Sequence, residues 1–234
     1  MSFSPISDIA RAPSVKPDSA RRQLLKAATG AMLASGLAAS PAQAQFRTSL
    51  KYVTYDPVMP PPVAMTPDRI EVIQFFYYGC PHCFDMEPGL QDWLQKKAAD
   101  VVFRYQPAIR NDSWVPLTKA FFILEALMEQ KRLHRPIYDN IHFDGALLTE
   151  EEGLMAWFDK NGFAKARVRE LYNSPEVQKN VDLARKMTSD YKITATPTIV
   201  VAGKWAVSSG QAGSHFEALR LLDQFVVAAR REKR

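Results

Sequence analysis

The sequence predicts an α/β protein with an α-helical domain inserted into its sheet, and three observations carry that prediction. The breaker-free run Ile70 to Tyr77 and the run Val101 to Pro107 read as strands flanking a helix. Between Asn111 and Met187 the apolar residues recur at helical spacing, with no convincing strand. Strand-like runs then return at Pro197 to Ala202 and Trp205 to Val207, ahead of a last helix. With 234 residues, 47% of them hydrophobic, the chain is long enough for one domain with an insertion or for two small domains.

The first residues belong to export. Arg21 and Arg22 precede a short apolar run from Ala27 to Ala39, and Ala42-Gln43-Ala44 supplies a small-residue cleavage pattern. The run is too short for a membrane span and is diluted by Gly30, Ser35, Gly36 and Ser40. Residues 1–44 therefore read as a signal peptide cleaved near Ala44. The arginine pair followed by Gln23-Leu24-Leu25-Lys26 also resembles a twin-arginine export signal. Residues 1–44 hold five basic and two acidic side chains, so their removal lowers the net charge from +5 to +2. The basic balance lies in the export signal, and nucleic-acid binding loses its compositional support.

The elements follow in order. Residues 46–67 contain Pro57, Pro60, Pro61, Pro62 and Pro67 and read as an extended arm, with an edge strand at Tyr52 to Tyr55. Ile70 to Tyr77 is the buried central strand, and Gly79 ends it. From Cys83, the residues Met86, Leu90, Trp93 and Leu94 mark one face of a helix reaching about Ala99, with a kink expected at Pro88. In the insertion, helices are expected at Trp114 to Lys131, Pro136 to His142 and Ala164 to Tyr172. Thr149-Glu150-Glu151-Glu152 has the form of a capping box opening a helix to Lys160, and Ser174-Pro175 caps another that runs to about Asp190. Gly203-Lys204 supplies a turn, and Ser214-His215-Phe216-Glu217 reads as a second capping box opening a helix to about Arg230. The sheet-forming parts are thus 45–110 and 188–234, with the helical insertion at 111–187.

Both cysteines of the chain lie in the stretch Phe75-Phe76-Tyr77-Tyr78-Gly79-Cys80-Pro81-His82-Cys83. A disulfide used as a staple gains stability with loop length, and a two-residue gap closes almost no loop. The spacing points to chemistry. A strand feeding a helix places Cys80 at the helix N-terminus, where unpaired N–H groups and the helix dipole favour a thiolate. His82 adds a positive charge or an N–H donor, Pro81 restricts the backbone, and Cys83, one turn in, reads as the shielded resolving thiol. Stabilising the reduced form as its thiolate makes the disulfide a stronger oxidant.

Two competing readings are a structural disulfide and a metal site. The metal reading would combine Cys80, His82 and Cys83 with a distant His134, His142 or His215, and the chain offers no second cluster at ligand spacing. No metal and no cofactor are therefore expected, and those three histidines receive no functional role. Thr196-Pro197 supports the redox reading, because a proline opening an apolar strand tolerates its missing N–H. Beside a Cys-X-X-Cys motif a cis bond is the expectation, leaving backbone near Cys80 free to pair with an extended substrate.

The matching segments Phe75-Phe76, Cys80-Pro81-His82-Cys83, Thr196-Pro197 and Gly203-Lys204, with a helical insertion between them, resemble the DsbA-type thiol:disulfide interchange proteins. These are exported, thioredoxin-fold oxidants of bacteria, and the resemblance covers residues 46–234. It implies a periplasmic enzyme with a thioredoxin fold and an inserted helical domain. Cys80 forms a mixed disulfide with reduced, unfolded exported proteins, Cys83 resolves it, His82 tunes the thiolate, and Pro197 lines the substrate groove beside Thr196. A depressed first-cysteine pKa and an oxidising potential come with the family. So does reoxidation by a DsbB-type membrane protein, and a monomer is the expected working unit.

Two positions depart from the family pattern. Relatives commonly carry a buried acid six positions before the first cysteine, where this chain has Gln74. Glu87, four residues after Cys83 on the same helical face, is the substitute candidate for a proton acceptor. Thr before the cis-proline is common in isomerases, so Thr196 leads to the expectation of a less extreme potential. An isomerase or reductase on the same fold, and a non-catalytic periplasmic chaperone or metal binder, are the alternatives.

Overall fold

A computed structural model describes Val53, Thr54 and residues 69–233. The signal peptide expected at 1–44 and most of the proline-rich arm lie outside the described residues. Among the described residues five strands form one mixed sheet: β1 (Val53–Thr54), β2 (Ile70–Phe76), β3 (Val101–Pro107), β4 (Thr198–Val201) and β5 (Trp205–Ser208), in the order β1-β5-β4-β2-β3. β2 is buried along its whole length. It runs parallel to β3 and antiparallel to β4, so that Gln74 lies between Tyr105 and Ile199. β5 pairs antiparallel with β4, and β1 takes the edge beside β5, inside the range expected from Tyr52 to Tyr55.

Alternation along β2 sends its side chains to two cores. Ile70 and Val72 pack with Ile199 and Val201 beneath α1 (Pro81–Lys96) and α8 (His215–Glu232). Ile73 and Phe75 face the opposite way, towards Met187, Tyr191 and Val200. A third core, including Phe121, Ile137, Leu154 and Phe158, fills the insertion formed by α2 (Val115–Ala126), α3 (Gln130–His142), α4 (Glu151–Lys160), α5 (Lys165–Tyr172) and α6 (Pro175–Asp190). Among the described residues, no helix is long and apolar enough to cross a membrane.

Several expectations need correction. Trp114 to Lys131 is not one helix: a 3₁₀ turn at Asp112–Trp114 precedes α2, and the chain reverses after Ala126, with Met128 at φ 59°. Met128 is 91% exposed and no glycine marks the break. Packing demands it, because α3 must turn back to bury Leu133, His134, Ile137 and Tyr138. Pro136 consequently lies inside α3 and does not open it.

Thr149 does not cap α4. Glu150 holds the N-cap position without a side-chain bond, while Ser174 and Ser214 do cap α6 and α8 by accepting from Val177 and Glu217 N–H. The Glu217 carboxylate turns to Arg220, so the second predicted box is only half made. A full capping box occurs instead at Ser208 and Gln211, opening the short α7 (Ser209–Ala212). The β4–β5 turn centres on Ala202 and Gly203, both at positive φ, one residue earlier than expected. Two consecutive positive-φ residues match the twist of the strands they join.

Candidate active site

Four residues lead from the end of β2 to the first reactive sulfur. The turn Tyr77–Cys80 is closed by the Cys80 N–H donating to Tyr77 oxygen at 3.0 Å. Cys80 is the N-cap of α1, with φ −90° and ψ 115°, and Pro81 takes N1, where its missing N–H costs nothing. The Cys80 carbonyl accepts from the N–H groups of Cys83 and Phe84 at 3.0 and 3.2 Å. The Tyr77 ring stacks on Trp114 with centroids 4.0 Å apart. A Cβ at position 79 would lie 2.5 Å from that ring, so Gly79 lets the turn close over it.

Cys80 is half-buried and Cys83 fully buried, both as free thiols. The Cys80 thiol donates to the Thr196 carbonyl oxygen at 3.3 Å, and the Thr196–Pro197 peptide is cis, as the sequence predicts. The Cys80 pKa falls from 9.0 to about 5. The largest cause is a hydrogen bond from the Cys83 thiol; burial opposes it, and the Thr196 side chain and the N–H groups of Cys83 and His82 add to it. Cys83 moves the other way, pushed well above an ordinary thiol by burial and then by the bond to Cys80 and its charge. His82 therefore favours the thiolate through its backbone N–H. Its imidazole is exposed and faces His215, the ring centroids being 5.8 Å apart.

Below the sulfurs lies a buried polar layer. Gln74 is fully buried; its Nε2 reaches Met86 Sδ at 3.6 Å, and its Oε1 has no hydrogen-bond partner among the described residues. Glu87 shares the buried face of α1 with Cys83, Met86 and Leu90. Its Oε1 accepts from Gln91 Nε2 and Tyr105 Oη, both at 2.7 Å, and lies 3.7 Å from His134 Nε2. Burial works against its ionisation, but His134, Gln91 and Tyr105 outweigh burial and hold Glu87 below the usual carboxylate range. A cavity of about 800 Å³ between α1, β3 and α3 is lined by Glu87, Tyr105 and His134 among others.

Two residues given no role from sequence belong here. His134 Nδ1 lies 2.8 Å from Tyr78 Oη, and His142 Nε2 lies 2.8 Å from Tyr78 oxygen. Together they pin the turn ahead of Cys80 to α3. The only sequence trace of this arrangement is their eight-residue spacing, which puts both within one broad stripe of a helix, about 80° apart.

A half-buried sulfur that prefers to be a thiolate, backed by a fully buried one that prefers to be a thiol, is an arrangement for passing electrons between sulfur pairs. The chain is a thiol:disulfide oxidoreductase, built on a thioredoxin fold with a helical insertion. Residues 109–220 match the model of the DSBA-like thioredoxin domain. The thiol:disulfide interchange protein DsbA of Azotobacter vinelandii is 34% identical over 165 residues, 70% of this chain and 77% of that protein. Its counterpart from Bordetella parapertussis is 33% identical over 205 residues, 87% of this chain and 95% of that one. The crystal structure of Pseudomonas aeruginosa DsbA superposes with a TM-score of 0.70 at 31% identity, covering 79% of this chain and 95% of that one. The chain belongs to the DsbA family of thiol:disulfide interchange proteins.

Proposed function

We propose that the protein is a periplasmic dithiol oxidase that donates its Cys80–Cys83 disulfide to reduced, unfolded exported proteins. A substrate thiolate attacks Cys80 Sγ, the Cys80–Cys83 bond breaks, and its electrons leave with Cys83. A second substrate thiolate attacks its own sulfur in the mixed disulfide and releases Cys80 as a thiolate. The substrate loses two electrons and two protons, and the protein is left as the dithiol.

Reoxidation reverses the flow. The Cys80 thiolate attacks a disulfide of a DsbB-type membrane partner; Cys83, once deprotonated, attacks Cys80 Sγ, restoring the Cys80–Cys83 bond and releasing the partner's dithiol. Glu87 is the proposed acceptor of the Cys83 proton. Pro81 and the His82 N–H shape the thiolate site, and Thr196 with Pro197 offers backbone to an extended substrate. The mature chain, beginning near residue 45, acts as a monomer.

One observation carries the reading: the opposed acidities of the two sulfurs, with Cys80 lowered to about 5 and Cys83 raised. A reduced form stabilised as thiolate gives its disulfide away readily. The test is equilibration with glutathione. A strong oxidant is already a mixture of disulfide and dithiol at low reduced glutathione, where an isomerase or reductase of lower potential on the same fold would still be almost wholly disulfide. Activity towards unfolded clients that survives replacement of both cysteines by serine would instead mark a binder.

A further inference from the structure

Beside the sulfurs, on the exposed side of the first turn of α1, three potential ligands converge. His82 and Asp85 are three residues apart and share a face of α1, and His215 is the first residue of α8. One ligand atom from each lies within 4.8 Å of the other two. His215 Nδ1 is 2.9 Å from Ser209 Oγ, which fixes its ring and leaves Nε2 for the cluster. An outer-shell hydrogen bond on the second ring nitrogen is the usual companion of a metal-binding histidine.

We propose that His82, Asp85 and His215 bind one divalent transition-metal ion. Donors about 2.0–2.1 Å from zinc in a tetrahedron stand about 3.3 Å apart, so the cluster has to contract by about 1.5 Å at most. His82 and Asp85 are exposed and supply that movement by side-chain rotation, while His215 stays held by Ser209. The positive ends of α1 and α8 work against a cation, and a single carboxylate offsets them only in part. Hard ions such as calcium and magnesium, which rely on oxygen ligands, are therefore disfavoured. Two imidazoles and one carboxylate suit zinc or its transition-series neighbours, with water completing the shell. The site uses neither sulfur as a ligand, although His82 stands between the two cysteines in the chain.

The experiment uses the untagged oxidised protein, whose sulfurs are tied to each other. Zinc sulfate is titrated calorimetrically, and cobalt(II) is followed by its visible absorption. One ion per chain is expected, with cobalt ligand-field bands and no sulfur-to-cobalt charge transfer. His215→Ala and Asp85→Ala should each weaken binding by about tenfold or more, and Ser209→Ala by about tenfold through loss of the outer-shell bond. Paramagnetic broadening of the His82 and His215 ring protons by cobalt should report the site in the unaltered chain. No saturable binding to the oxidised protein, affinity unchanged in His215→Ala, or broadening confined to other histidines would overturn the proposal.

Discussion

The Cys80 thiol donates to the Thr196 carbonyl oxygen at 3.3 Å, joining the first turn of α1 to the loop before β4 across 116 positions of chain. The Thr196 side chain acts on the same sulfur and lowers its pKa. That effect favours the thiolate, and so the stronger oxidant, the opposite sign to the expectation drawn from Thr196 as an isomerase-like residue. Thr196→Val keeps the carbonyl and removes the hydroxyl. A hydrogen bond to a charged group is worth about 1.5–3 kcal/mol, so the Cys80 pKa should rise by about one to two units. Ultraviolet absorbance of the thiolate against pH measures it, and an unchanged midpoint would remove the hydroxyl from the account.

The same lowered acidity makes the stability of the two redox forms diverge with pH. In the reduced protein the folded Cys80 pKa lies at about 5, below the 9.0 of an ordinary thiol. Its contribution is therefore fully present above about 9 and is lost as pH falls through about 5. The disulfide form has no such group. The Tm of the reduced protein relative to the oxidised one should fall between pH 7 and pH 4.5, and parallel curves from paired thermal melts would contradict the acidity of Cys80.

Gln74 occupies a site with room for a charge-handling group and does not use it, since its Oε1 is buried without a partner among the described residues. Gln74→Glu should speed Cys83-dependent resolution of a mixed disulfide, because burial raises a carboxylate's pKa and makes it a better base for the Cys83 proton. Rapid-quench measurement of mixed-disulfide lifetime reads this, and an unchanged rate would mean that proton removal is not limiting. Gln74→Met should leave stability unchanged or raise it, since it deletes an unsatisfied buried group.

His134 joins two groups that are costly to leave alone, the Tyr78 hydroxyl and the Glu87 carboxylate. His134→Phe keeps the ring but leaves both partners buried with one interaction fewer. A loss of about 2–4 kcal/mol in urea unfolding is expected, together with a rise in the Glu87 pKa. A stability within about 0.5 kcal/mol of the parent would show the layer to be energetically idle.

Much of this molecule was legible in the chain because the deciding signals are local. β2, α1 and β3 are bounded by Gly79, Pro81 and Pro107, and the cysteine spacing and Thr196-Pro197 expose the reactive sulfur and its loop. What stayed hidden depends on distant partners. The break between α2 and α3 has no glycine or proline, and its cause is the burial of α3 against the rest of the insertion. His134 and His142 act on Tyr78 from 56 and 64 positions away, and nothing in their immediate neighbours announces it. His82 is offered by the sequence as a positive charge or an N–H donor, and its backbone N–H is among the groups that lower the Cys80 pKa.

α1 belongs to two cores at once: Met86 and Leu90 pack on the sheet, while Cys83 sits in the core of the insertion. The helices that interrupt the fold in sequence are thus electrical insulation around one terminal of a two-electron cell. They keep water from the second sulfur while the first stays wet, and the difference in acidity across a single helical turn is a voltage that the surrounding fold maintains.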